Sequence, residues 1–224
     1  MRHAESSKNI EDRFAGVEEG DALTHQSWSE TAAAAEHVRD FMTRLQIQEL
    51  LVLSSDSPRS MHSGEVLSSI LQAEHRIDSQ LRSVVNPETA GVSYSELVAK
   101  DPLMAQQWNL YRGGVFNSYA IGDIARNTRP YERVVREKLV ALKRLDVELA
   151  LVVGHRSFIT SSLINVARAR LGYPAGFFGF VPLGHLSLCA LRKTRQGDWT
   201  ISFVNVAPSD LSTLGVALLR AEEQ

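Results

Sequence analysis

Four side chains stand out for the chemistry they could do together. Arg2 and His3 open the chain in the stretch MRHAESSKN, Arg59 lies in SDSPRSMHSGE, and His155 lies in LVVGHRSF. A neutral imidazole is a competent nucleophile toward phosphorus near neutral pH, because its ordinary pKa is about 6.5. Guanidinium groups match the oxygens of a phosphoryl group in pairs and keep their charge. A second imidazole can donate to a non-bridging oxygen as charge spreads in the transition state. Taken singly, each residue has a plainer reading. A Gly-His after a strand often only makes a turn, an arginine in a Ser-rich loop is often solvated, and a terminal Arg-His pair is often loose. The elements around them decide between the two.

Those elements alternate. After a polar, Gly-punctuated opening that reads as loop to about Thr24, Thr31, Ala35, Val38, Met42 and Leu45 form one helical stripe, with Arg39, Asp40 and Arg44 off it. ELLVLSS (residues 49–55) is short and apolar and reads as a buried strand. Met61, Gly64, Leu67 and Leu71 mark a second helix, and residues 80–85 read as a short strand. Residues 86–127 are irregular, with helical patches at 93–100 and 102–111. A longer helix is expected over 129–145, with Pro130 in its first turn. ELALVVGH (148–155) is the clearest buried strand. A helix over 157–171 follows, with Ser157 helping its start. Strands at 186–192 and 199–204 flank the turn RQGD. This order predicts an α/β fold: a three-layer α/β/α sandwich on a mostly parallel sheet, with an antiparallel edge, in one domain spanning residues 1–224. Sites in such sheets gather at the carboxyl ends of strands. Arg59 and His155 fall there.

Composition narrows the partners. The chain has 224 residues, 44% hydrophobic and 22% charged, with a formal net charge of −2. That balance gives no reason to expect nucleic acid or a membrane as partner. There is no apolar run of membrane-spanning length, and the first residues are too polar for a signal peptide, so a cytoplasmic location is expected. The single cysteine, Cys189, cannot form an intrachain disulfide, and its apolar surroundings LSLCALR suit a buried structural thiol.

Taken in order, the motifs resemble those of the histidine phosphatase superfamily, the phosphoglycerate mutase-like proteins. RHAESSKN is similar to the family's Arg-His-Gly-Glu-Ser-x-x-Asn, with Ala4 replacing the glycine. RFAGVEEGDALT resembles its Arg-Phe-x-Gly followed by Asp-x-x-Leu-Thr. SDSPRSMHSG resembles the segment that carries its arginine, here Arg59. LVVGHRS resembles the strand that carries its second histidine, here His155. Asp210-Leu211 falls where many members have His-Leu.

The resemblance implies roles. His3 would be phosphorylated during turnover, and Arg2, Arg59 and His155 would form the phosphate pocket. Asn9 would be a further donor, and Arg13 and Thr24 would line the entrance. No metal and no cofactor would be needed. The partner would be a small phosphorylated substrate, and a homodimer would fit the family. The expected activity is hydrolysis of a small phosphate monoester through a phosphohistidine on His3. The moderate separation of Arg59 and His155 looks more like the family's phosphatases than its mutases. The alternatives are a weak or inactive member that binds a phosphorylated ligand or protein partner, a mutase-type phosphotransferase, or an enzyme acting on phosphohistidine in another protein. Selectivity would come from residues 86–127 and from 172–184, where Phe177, Phe178 and Phe180 form either a lid or packing.

Two departures from the family pattern bear on mechanism. Ser83 stands where the family carries a proton-donating glutamate, which leaves Glu88, or else Asp78, as the substitute. The family also carries an apolar strand directly before Arg-His, near the middle of the sheet. An empty slot there would leave ladder groups unpaired on both neighbours, so Met1 is expected to be internal to a longer product.

Overall fold

A computed structural model of the chain describes residues 1–14, 21–112, 121–171 and 183–214. Its centre is a parallel sheet in the order β2-β1-β3, built from β1 (Leu50–Ser54), β2 (Glu74–Ile77) and β3 (Leu149–Val153). The alternation of side chains along β1 serves two faces. Val52 packs on one side with Ala34, Ala35 and Val38 of α2 (His25–Arg44) and Leu67 of α3 (Pro58–Leu71). Leu51 and Leu53 pack on the other with Val135 and Leu139 of α6 (Ala125–Leu142) and Phe158 and Val166 of α7 (Arg156–Leu171). Both faces are covered, as a parallel sheet requires, and the architecture is the expected α/β/α sandwich.

The remaining strands, β4 (Leu188–Lys193) and β5 (Trp199–Val206), form an antiparallel hairpin. Residues 1–3 join this hairpin to the parallel sheet. Gly154 N–H donates to Met1 O at 3.0 Å, His3 N–H to Gly154 O at 2.9 Å, Arg2 N–H to Ser187 O at 3.0 Å and Leu186 N–H to Arg2 O at 3.1 Å. The central slot expected from the sequence is therefore filled at its upper end. Below Met1 it opens into an apolar cavity of about 510 Å³, lined by Phe41, Leu151, Leu188 and Phe203 among others.

Between the second and third strands of the parallel sheet lies a cap. The short α1 (Ser7–Ile10) precedes it in the chain. The cap itself is α4 (Tyr94–Lys100), started by a reciprocal Ser93–Glu96 capping box, and α5 (Pro102–Arg112). Phe14, Leu97, Trp108, Tyr111 and Ile124 give it a core separate from that of the sheet.

Some local expectations fail for physical reasons. Residues 80–85 are not a strand. The edge strand is Glu74–Ile77 instead, mostly exposed and carrying charge, so its pattern had no apolar signal. The long helix starts at Ala125, four residues early, because a 3₁₀ turn at Gly122–Ile124 feeds directly into it and leaves Pro130 inside. Ser157 lies within its helix and hydrogen-bonds across to the loop at Ser83, not to its own helix start. Among the described residues no helix is long and apolar enough to cross a membrane.

Candidate active site

Three parallel segments end on the same edge of the sheet: Met1–His3, β1 and β3. Their carboxyl ends deliver His3, the loop to Arg59, and His155. Residues far apart in the chain thus converge, with the His3 and His155 rings 5.1 Å apart between centroids. Two helices also begin here. Ser57 precedes α3, whose second residue is Arg59, and α7 starts at Arg156 directly after His155. Each brings the positive end of its dipole to the site.

Arg59 ties the group together. Its Nε donates to His3 Nε2 at 3.1 Å, and its Nη2 donates to His155 Nδ1 at 3.2 Å. Its Nη1 pairs with Asp21. All of these groups are buried. Because guanidinium only donates, both imidazole nitrogens it meets must be unprotonated. His3 Nδ1 faces Ala4 O at 2.7 Å, and a carbonyl only accepts, so Nδ1 carries the proton and Nε2 keeps its lone pair. By the same logic His155 Nε2 carries the proton toward Ser55 Oγ at 2.7 Å and Ser57 Oγ at 2.9 Å. Burial first, then His155 and Arg59, holds His3 well below the usual imidazole range. Burial first, then Arg59 and Arg2, does the same for His155.

Packing fixes this geometry. Ala4 N–H donates to Ser63 Oγ at 3.1 Å, and Ser60 Oγ donates to Val153 O at 2.7 Å, so α3 is pinned to both segments that carry the histidines. Gly64 lets α3 press against β1, since a Cβ there would lie 2.9 Å from that of Ser54. Arg2 lines the cavity and is held from behind. Its Nη1 donates to Leu183 O at 2.5 Å and its Nη2 to His185 Nε2 at 2.7 Å. Burial, then the charges of Arg156 and Arg59, lowers Arg2 to about 10, and burial beside Arg2 lowers His185 to about 4.

The cavity above these residues measures about 200 Å³. Asn9 and Arg13 line it, as expected. Asn9 Oδ1 accepts from Ser6 N at 3.1 Å and Ser6 Oγ at 3.0 Å, which turns its amide donors elsewhere. Arg13 also donates to Gly91 O at 2.8 Å. Thr24 is not at the entrance. It caps α2, its hydroxyl accepting from Ser27 N at 3.2 Å. Glu88 is exposed on its loop and does not line the cavity, and Asp78 is paired with Lys138. Neither is placed to give a proton here. Ser83 does line the cavity, in a hydroxyl chain through Ser157 Oγ at 2.9 Å to Tyr131, whose OH lies 3.2 Å from that Oγ. Among the described lining residues the one carboxylate is Asp12. Asp210 lies exposed in a 3₁₀ turn away from the site. Phe177, Phe178 and Phe180 lie outside the described residues. Cys189 is half-buried beside β5 and borders the apolar cavity, and burial raises its thiol.

Asp21, Ser55, Ser57 and His185 carry no role in the sequence reading. Asp21 lies in the stretch DALT, but only the fold shows that its carboxylate meets Arg59. No set of side chains among the described residues is grouped to hold a metal ion.

Two measurements check this geometry. The His3 and His155 imidazole protons should show no titration between pH 7.5 and 6 by NMR, and a midpoint near 6.5 for either would contradict the hydrogen-bond assignment. Asp21→Ala removes the carboxylate that faces the buried Arg59. It should cost about 3–5 kcal/mol in denaturant unfolding.

Comparisons with known proteins bear on the fold and the family. No curated protein matches the chain. Among solved structures, a mycobacterial glucosyl-3-phosphoglycerate phosphatase bound to vanadate is 22% identical, with a TM-score of 0.65 over 92% of this chain and 96% of its own. The α-ribazole phosphatase of Shigella flexneri is 16% identical, with a TM-score of 0.66 over 92% and 94%. The YhfR protein of Bacillus stearothermophilus is 15% identical, with a TM-score of 0.71 over 92% and 95%. At such identities the likeness is one of fold. A family model, the histidine phosphatase superfamily (branch 1), matches residues 1–207. That match runs from the paired Arg2 and His3 to the end of the sheet, and the chain belongs to this superfamily.

Proposed function

We propose that the chain is a phosphatase that hydrolyses a small phosphate monoester through a phosphohistidine on His3. The observation that carries this reading is the state of His3. Its Nδ1 proton is held by Ala4 O, and its Nε2 lone pair points to Arg59 in a buried, cationic site. A phosphate entering the cavity offers oxygens that replace the imidazole nitrogens as acceptors for Arg59. Arg2 and the helix N-termini add to the field. His3 Nε2 then attacks phosphorus in line, the N–P bond forms and the ester P–O bond breaks. Water attacks the phosphohistidine, the N–P bond breaks and inorganic phosphate leaves. His155 donates to a non-bridging oxygen only if its proton moves to Nδ1, an exchange that Ser55 and Ser57 can support because each hydroxyl both donates and accepts. The cavity of about 200 Å³ suits a small leaving group.

The hydroxyl chain at Ser83 supports a refinement. A serine is a poor proton donor, and a positioned acid is worth about 10²–10⁴-fold. Asp12, the one carboxylate of the described lining, is exposed to solvent, so with Ser83 in the acid's place the leaving oxygen departs largely as an anion. This favours aryl, enol or acyl phosphates over simple alkyl esters.

An aryl phosphate should be hydrolysed without added metal, and His3→Ala should reduce the rate by at least about 10³-fold. Equal rates for the two proteins would refute the enzyme reading. In a series of leaving groups, aryl esters should exceed alkyl esters of similar size by on the order of 10²-fold.

A further inference from the structure

The two arginines of the proposed anion site are held in opposite ways. Arg59 faces a carboxylate, that of Asp21. Among the described residues Arg2 donates to neutral acceptors, with Nη1 on Leu183 O and Nη2 on His185 Nε2 at 2.7 Å. A guanidinium only donates, so His185 Nε2 carries the lone pair and Nδ1 carries the proton. Glu5 Oε1 lies 3.6 Å from that Nδ1, too far for a hydrogen bond but near enough to favour this tautomer. The imidazole thus meets Arg2 with one nitrogen and faces Glu5 with the other. Burial, then Arg2, lowers His185 to about 4, so the ring is neutral at neutral pH. Arg2, at about 10, keeps its charge.

The turn that presents His185 is held against a backbone cost. Leu186 has a φ of 59°, in the left-handed region that a branched side chain resists. The surroundings enforce it. Ser187 Oγ donates to Gly184 O at 2.8 Å, and Gly184 N–H donates to Asn205 Oδ1 at 3.1 Å. Leu186 N–H donates to Arg2 O at 3.1 Å, and Arg2 N–H donates to Ser187 O at 3.0 Å. The residue whose backbone fixes the turn is therefore the one whose side chain the turn holds. Conformations of this kind gather at functional sites, where the surroundings over-determine them. Arg2 also keeps a donor in reserve: its Nε is buried without a hydrogen-bond partner among the described residues.

We infer that His185 is a positioning residue for Arg2, a neutral acceptor that aims the guanidinium at the anion without cancelling its charge. The inference rests on the phosphatase reading above and adds His185 to its anion site. A carboxylate in this place would hold Arg2 but offset the charge that an anion needs. An apolar side chain would leave the charge and lose the aim. The charges of Arg59 and Arg156 oppose that of Arg2, so an untethered guanidinium is driven to turn away from them.

Three variants separate aim from charge. His185→Gln keeps a neutral acceptor, because its amide oxygen can take the place of Nε2. His185→Leu has no acceptor. His185→Glu has an acceptor that carries a charge. Inorganic phosphate is titrated into each by calorimetry at neutral pH. The Kd of His185→Gln should stay within about threefold of the wild type, while His185→Leu and His185→Glu should each bind about tenfold more weakly, the effect of one charge-assisted hydrogen bond or one offset charge. A merely structural role would order the variants by bulk and stability, not by acceptor and charge. His185→Leu binding like the wild type, His185→Glu binding like His185→Gln, His185→Gln as weak as His185→Leu, or a wild type that does not bind phosphate would overturn the inference. Hydrolysis of an aryl phosphate is measured alongside. If the ester is hydrolysed but the Kd values ignore residue 185, the inference falls and the hydrolase reading stands. If no ester is hydrolysed yet the Kd values follow the expected order, the hydrolase reading falls and the inference stands. The wild type gives a check that needs no variant to fold. Ring-nitrogen NMR shifts of His185 should place its proton on Nδ1 with and without phosphate, and a proton on Nε2 would overturn the inference.

Discussion

The site depends on one buried guanidinium. Arg59 reaches both imidazoles and Asp21 from the second residue of α3. Burial first, and its charge beside them, keeps the two histidines neutral, and neutrality leaves a lone pair on His3 Nε2. A buried cation is costly, and Asp21 offsets that cost. The pair is thus better understood as a device for holding charge in place than as a source of stability. The arrangement suits an anion-binding site, because an entering phosphate finds donors already desolvated and aimed.

Around this centre the structure divides its labour. The sandwich brings three strand ends to one edge, and with them Arg2, His3, Arg59 and His155. The cap of α4 and α5 has its own core, built on Phe14 and Trp108, whose rings lie 5.5 Å apart. It meets the sandwich partly through the buried Glu132, which joins α5, α6 and α7. On the proposed reading, chemistry at phosphorus is anchored in the sheet, and the surroundings of the leaving group are set by the cap and its contacts.

Much of this was legible in the chain. The apolar runs at β1 and β3 are unambiguous because β1 is buried on both faces and β3 is buried on one face and half-buried on the other. The stripe from Thr31 to Leu45 follows helical spacing closely. The residues placed around the anion site were legible as well, because Arg2, His3, Arg59 and His155 sit in distinctive local patterns. What escaped was set by tertiary partners. Glu74–Ile77 is a strand only because β1 offers it a ladder. Thr24 looks like a pocket residue from its motif, yet a helix start claims its hydroxyl. Glu88 was the natural substitute acid by proximity in sequence, but its loop turns it to solvent. Glu132 gives no local signal, since its significance lies in Tyr111 and Ser161, contributed by two other helices.

The union of the two sheets at residues 1–3 has a mechanical meaning. The hairpin and the parallel sheet are stitched by the backbone of Met1, Arg2 and His3, with an apolar hollow beneath the seam. His3 therefore sits on the suture itself. Arg2 carries the bonds to the hairpin side, while His3 is tied to Gly154 and, through Ala4, to α3, so a loosening of this seam frees the Arg2 guanidinium before it disturbs the imidazole beside Arg59.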